Sequence, residues 1–163
     1  MQVSEITQHP AAGKSRIPDA PGREILEILE GHQDMGPIEK AETQWQDDLT
    51  PEQYQVLREE GTERRFTSPL NTEYRQGVFV CAGCGEPLFK SEMKYDSKTG
   101  WPSFFTAIPG AMETKVDRKL FAERTEYHCA KCGGHQGHVF GDGPNPTGLR
   151  YCNNGVALKF VPD

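Results

Sequence analysis

No stretch of the chain approaches the run of about 18 apolar residues that a membrane-spanning helix needs, and the first twenty residues lack a basic and then apolar leader pattern. The expectation is a cytoplasmic protein without membrane association. Basic charge is also scarce. Lys and Arg total 18 against 24 Asp and Glu, a formal net charge of −6, which is the wrong sign for a general nucleic-acid binder. Apolar residues are only 35% of the chain and mean hydropathy is −0.69, too polar for a helical bundle. Apart from two short stretches, helical periodicity is absent.

What the chain does hold is punctuation. Seventeen Gly and twelve Pro in 163 residues describe a loop-rich domain of ordinary size. Residues 1–41 read as an N-terminal extension, broken by Pro10, Gly13, Pro18 and Pro21-Gly22. Within it, Ile25, Leu26, Ile28 and Leu29 sit at helical spacing before Gly31, so a short packing helix is expected. Residues 42–163 form the main domain. Its helix is marked by Thr50-Pro51-Glu52-Gln53, a capping Thr, Pro at the first helical position and Gln three residues after the cap, with Gly61 as the stop. Beyond Gly61 come short segments of β formers around Phe79, Phe89, Phe104, Phe121, Val139, Tyr151 and Phe160, parted by Gly, Pro and Asn. The fold class expected is therefore mainly β and antiparallel, with one or two N-terminal helices.

Four of the five cysteines form two Cys-x-x-Cys-Gly units in matching frames: Phe79-Val80-Cys81-Ala82-Gly83-Cys84-Gly85 and Tyr127-His128-Cys129-Ala130-Lys131-Cys132-Gly133. Two such turns brought together make a tetrahedral thiolate site, which favours zinc and, with four protein ligands, leaves no coordination position open. The site is read as one structural zinc ion. The 44 residues between Cys84 and Cys129 exceed the common spacing of 15–20, so the insert must hold much of the sheet. Iron on the same thiolates, a redox dithiol and a pair of disulfides are the competing readings.

The fifth cysteine, Cys152, lies in Arg150-Tyr151-Cys152-Asn153-Asn154. On a strand, Arg150, Cys152 and Asn154 share a face, and a nearby cation is expected to lower the thiol pKa and create a nucleophile. A buried, inert Cys is the alternative. His135 and His138 follow the second metal turn and are the candidate proton donors; residues three apart face opposite ways on a plain strand, so convergence needs a bulge or turn near Gly134 or Gly137. Trp101, in Gly100-Trp101-Pro102-Ser103-Phe104, is either core or the wall of a small apolar pocket.

Taken in order, these segments resemble the methionine-R-sulfoxide reductases, the B type of methionine sulfoxide reductase. The matching stretches are Leu49 to Phe66, Cys81 to Gly85, Tyr95-Asp96-Ser97, Gly100 to Phe104, Cys129 to Cys132, Gly137 to Pro144, and Arg150-Tyr151-Cys152 with Asn154. The resemblance implies two antiparallel sheets stapled by zinc on Cys81, Cys84, Cys129 and Cys132, and Cys152 as the nucleophile that becomes a sulfenic acid. It implies that Trp101 cradles the sulfoxide methyl, with Phe140 a further pocket aromatic. His135, His138 and Asn154 would position the sulfoxide oxygen and its proton supply, and Arg150 would support the nucleophile.

Three departures stand out, the first being the extension before residue 42, which has no counterpart in the family's common core. Many relatives carry a resolving cysteine where this chain has Thr99, so the sulfenic acid is expected to be reduced directly by an external thiol such as thioredoxin or glutathione with glutaredoxin. Gly155 stands where the family usually has Ser. The substrate implied is methionine sulfoxide, free or in proteins. A zinc-ribbon-like interaction module and a peroxide-reducing thiol enzyme are the rival readings.

Overall fold

The structure is a computed structural model, and it describes residues 37–119 and 122–163. The expected helix at residues 23–30 and the segment around Phe121 lie outside the described residues. Among the described residues two helices come first, α1 (Glu42–Asp48) and α2 (Pro51–Glu59). Nine strands follow: β1 (Gly77–Cys81), β2 (Pro87–Lys90), β3 (Lys94–Tyr95), β4 (Ser103–Phe104), β5 (Met112–Asp117), β6 (Arg124–Cys129), β7 (His135–Phe140), β8 (Arg150–Asn153) and β9 (Leu158–Pro162). They form two antiparallel sheets, one ordered β2-β1-β9 and the other β3-β4-β8-β7-β6-β5.

Helix α2 starts as its sequence dictates. The Thr50 hydroxyl accepts from the Gln53 amide, and the Gln53 side chain accepts from the Thr50 amide, so two otherwise orphaned donors are satisfied. Its end differs from expectation by one residue. Glu60, not Gly61, takes the left-handed conformation, at φ 56°. Gly61 is needed for a different reason: a Cβ there would lie 2.8 Å from the Gln55 carbonyl oxygen. Hydrogen bonds from Lys115 and Lys119 tie the Glu60 carboxylate to β5 and the loop after it, and hold its pKa at about 2.

Helix α1 gave no sequence signal because its burial rests on one side chain. Trp45 is 1% exposed, with Lys40 and Arg58 each 4.6 Å from its ring centre. Strand β5 also escaped notice: Met112-Glu113-Thr114-Lys115-Val116-Asp117 is an edge strand, and its charged residues suit an edge that must not pair further.

The five largest fully buried side chains are aromatic. Phe89 stacks on Phe104 at 3.9 Å between ring centres, Phe79 meets Phe104 edge-on at 5.1 Å, and Tyr127 meets Tyr151 at 5.1 Å. Phe79 and Phe89 come from the three-stranded sheet and Phe104, Tyr127 and Tyr151 from the six-stranded one, so these rings join the two sheets. Burying each such ring contributes about 1.5–3 kcal/mol, and each well-oriented pair about 0.5–1.5 kcal/mol beyond that.

Candidate active site

The register of the six-stranded sheet places one row of residues side by side. Tyr95 pairs with Ser103, Ser103 with Cys152, Cys152 with His138, His138 with Glu126, and Glu126 with Lys115. Directly opposed residues on antiparallel strands point to the same face. The thiol and imidazole are thus cross-strand neighbours although 14 positions apart in sequence. Gly137, beside His138, makes the approach of β7 to β8 feasible: a Cβ there would fall 1.9 Å from the Cys152 carbonyl oxygen.

Convergence of the two imidazoles comes from the expected bulge. Tyr127 pairs with Gly137 but His128 pairs with His135, so Gln136 is the extra residue and His135 swings to the face of His138. Their ring centres are 5.5 Å apart. His135 is 3% exposed, its Nδ1 lies 2.7 Å from Glu126 Oε1, and its Nε2 is buried with no hydrogen-bond partner. His138 Nε2 lies 2.9 Å from Asp117 Oδ2, and Asp117 also receives Arg124 at 3.2 Å. The His138 hydrogen bond holds the Asp117 carboxyl at about 2, whereas burial outweighs that contact at His138 and lowers its pKa below the ordinary histidine value.

Cys152, Trp101, His138, Phe140, Arg150 and Asn154 line one cavity of about 350 Å³, at the small end of ligand pockets. His135 is set behind His138 and lines an adjoining depression with Glu126 and Asp117. A larger hollow of about 810 Å³ beside α2 is lined by no cysteine or histidine. Trp101 is half-buried and serves as a wall, its Nε1 donating to the Glu63 carbonyl at 3.0 Å. Strand β8 ends at Asn153, yet Asn154 still reaches the cavity, because its Oδ1 accepts from the Glu63 amide and its Nδ2 donates to the Gln136 carbonyl. Glu63 therefore sets both Trp101 and Asn154 through its backbone. Its carboxylate accepts from the Gly155 amide, and burial raises its pKa.

One expectation is corrected here. The Cys152 pKa is raised, not lowered: burial is the largest influence and outweighs the opposing pull of Arg150 and of a hydrogen bond to Thr99. Arg150 also divides its charge, since Asp142 takes two of its hydrogen bonds at 2.9 and 3.2 Å. The Thr99 contact has a second meaning. Residue 99 lies within reach of the Cys152 thiol, and it carries a hydroxyl that forms no disulfide.

The four remaining cysteines form one cluster, their sulfurs all within 4.8 Å of one another. Cys81 Sγ to Cys132 Sγ and Cys84 Sγ to Cys129 Sγ are both 3.6 Å. A tetrahedron with metal–sulfur bonds of about 2.3 Å has edges of about 3.8 Å, so the spacing fits a metal ion. Gln136 Nε2 and the Gly134 amide each point at a cluster sulfur at 3.4 Å, the kind of donor that suits thiolate charge. Because Cys81 closes β1 and Cys129 closes β6, the cluster staples one sheet to the other.

Sequence reasoning missed Glu63, Asp117, Glu126 and Gln136. Each acts by holding another group, and no spacing rule ties any of them to the residue it holds.

The SelR domain family matches residues 49–162. A peptide methionine sulfoxide reductase MsrB of Agrobacterium fabrum is 52% identical over 126 residues, covering 77% of this chain and 93% of the relative. Those of Leptospira interrogans and Methanosarcina barkeri are each 51% identical over 124 residues, covering 76% of this chain and 95% and 87% of the relatives.

Proposed function

The chain belongs to the SelR-domain family of peptide methionine sulfoxide reductases MsrB, and from that premise we propose how its own residues carry out the reaction. It is an enzyme that reduces methionine-R-sulfoxide to methionine. The observation that carries the mechanism is the pairing of Cys152 with His138 across β7 and β8, beside Trp101 in one cavity.

The Cys152 sulfur attacks the sulfoxide sulfur. The thiol proton passes to the sulfoxide oxygen through His138, since that oxygen is a poor leaving group until protonated. The sulfur–sulfur bond formed by that attack and the sulfur–oxygen bond both break as the hydroxyl passes to the Cys152 sulfur, so methionine leaves and Cys152 is left as a sulfenic acid. Trp101 and Phe140 wall the methyl group, Asn154 and His138 meet the oxygen, His135 backs His138, and Arg150 favours the thiolate. Two external thiols then return Cys152 to a thiol, releasing water and their own disulfide. With Thr99 at the thiol and every other cysteine in the cluster, the reductant is an external thiol such as thioredoxin or glutathione with glutaredoxin. Zinc suits the all-sulfur donor set of Cys81, Cys84, Cys129 and Cys132, where it would act structurally. No helix among the described residues is long and apolar enough to cross a membrane. The catalytic domain proposed is 42–163, with residues 1–41 as an extension.

The direct test supplies a racemic blocked methionine sulfoxide and excess dithiol and resolves the epimers. The R epimer is consumed and the S epimer persists, because a fixed methyl wall and fixed oxygen donors accept one hand. Trp101→Ala reduces turnover and erodes that selectivity; full turnover with intact selectivity would remove Trp101 from the pocket.

The pH profile follows from two displaced groups. His138 is lowered from 6.5 and Cys152 raised from 9.0, so across neutral pH the resting pair is neutral imidazole and thiol. Below the His138 pKa the thiol has no base, and above the Cys152 pKa the oxygen has no acid. The expected kcat/KM profile is a plateau, with an acid limb below about pH 6.5 and an alkaline limb above about pH 9. Asp117 raises the His138 pKa, so Asp117→Asn moves the acid limb to lower pH. A shift to higher pH, or none, would contradict the assignment of that limb to His138.

A further inference from the structure

Four of the residues lining the catalytic cavity are cations, Arg65, Lys98, Arg124 and Arg150, and none is a carboxylate, in a chain whose formal net charge is −6. Two of the four are already matched. Arg124 pairs with Asp117 and Arg150 with Asp142. Arg65 and Lys98 are exposed, and neither forms an ion pair among the described residues. The nearest acidic side chain on the Lys98 loop, Asp96, accepts the backbone amide of Lys98.

These two cations sit on rims that the backbone holds still. Lys98 and Phe66 are both non-glycine residues in the left-handed region, at φ 61° and 64°. Strain of this kind persists only where surrounding contacts fix it, and it gathers at ligand clamps. The contacts here are a hydrogen bond of 2.7 Å from the Phe66 amide to the Gly100 carbonyl and one of 3.1 Å from the Asn71 side chain to the same oxygen. Arg65 lies 5.1 Å above the Trp101 ring, and Phe66, 68% exposed, offers an apolar surface next to it.

Resting on the sulfoxide-reductase reading, we infer that Arg65 and Lys98 select peptide substrates in which the oxidised methionine is flanked by Asp or Glu. With the sulfoxide side chain in the cavity, the peptide backbone crosses the rim, and neighbouring acidic side chains meet the two unmatched cations. A free amino acid fits this rim poorly. Its ammonium accompanies its carboxylate, so it presents no net charge to the cations.

The test compares blocked pentapeptides with a central R-sulfoxide flanked on both sides by Glu, Gln or Lys, together with the free amino acid. Two exposed ion pairs predict kcat/KM about 3- to 10-fold higher for Glu than for Gln at low salt, with Lys below Gln. The Glu-to-Gln ratio should fall towards one as salt screens the rim. In the Arg65→Gln, Lys98→Asn double variant the ratio should be near one at any salt; Asn suits the left-handed backbone at position 98. A wild-type ratio within twofold of one at low salt, or a ratio unmoved by salt or by the double variant, would overturn the inference. The Gln peptide separates the two readings. If it is turned over without a charge preference, reduction stands and this selectivity fails.

Discussion

Cys152→Ser is expected to lower turnover of methionine-R-sulfoxide by at least about a thousandfold, with the fold and bound metal unchanged. A serine hydroxyl has nearly the shape of the thiol and can still hydrogen-bond Thr99, but it is far less acidic and a poor nucleophile towards sulfur. No other thiol can substitute, because the remaining four are committed to the cluster between the sheets. A second readout sharpens the result. Without added reductant, the wild-type chain should yield one methionine per chain and stop at the sulfenic acid, and the variant should yield none. Residual turnover above about a tenth of wild type would dislodge Cys152 as the nucleophile. A purely structural module would show no such burst, and a peroxide-specific thiol would form the sulfenic acid with peroxide alone and release no methionine.

Local chemistry made part of this architecture readable in advance. The capping box at Thr50 is decided by residues within one helical turn, and the two Cys-x-x-Cys-Gly units by residues within one turn of backbone. The need for a bulge between His135 and His138 followed from strand periodicity alone, and Gln136 supplies it. Three features depend on long-range packing and were not readable. Helix α1 is held by the single anchor Trp45, which makes no periodic stripe. Strand β5 is defined by its partner β6 and carries no alternating apolar pattern. The direction of the Cys152 shift is not legible in sequence, because Arg150 is visible beside it there, whereas the burial that outweighs it and Asp142, which shares its charge, emerge only on folding.

Stripping the metal should cost the chain its cooperative fold, beyond any loss of activity. A structural zinc site contributes on the order of 10 kcal/mol, comparable with the 5–15 kcal/mol that separates a folded domain from its unfolded chain. Here the cluster joins β1 of one sheet to β6 of the other, and three of its four cysteines are buried. Four thiols packed this closely without a cation would leave their charge or their protons without adequate partners. Chelation, or Cys84→Ser, should therefore abolish the sharp thermal transition or lower its midpoint by well over 10 °C. A metal-free chain melting within a few degrees of the loaded one would deny the cluster its structural role. The loss should reach the catalytic face through Gln136, which is fully buried and donates from Nε2 to Cys81 Sγ. Its Oε1 accepts from Asn153 at 3.1 Å, and its carbonyl accepts from the Asn154 amide and side chain at 2.9 and 3.0 Å. The bulge residue that turns His135 towards His138 is thus also the one that ties the cluster to the two residues following Cys152. Releasing the metal removes one anchor from the histidine strand and the nucleophile strand together, so activity and the thermal transition should be lost in parallel as chelator is added.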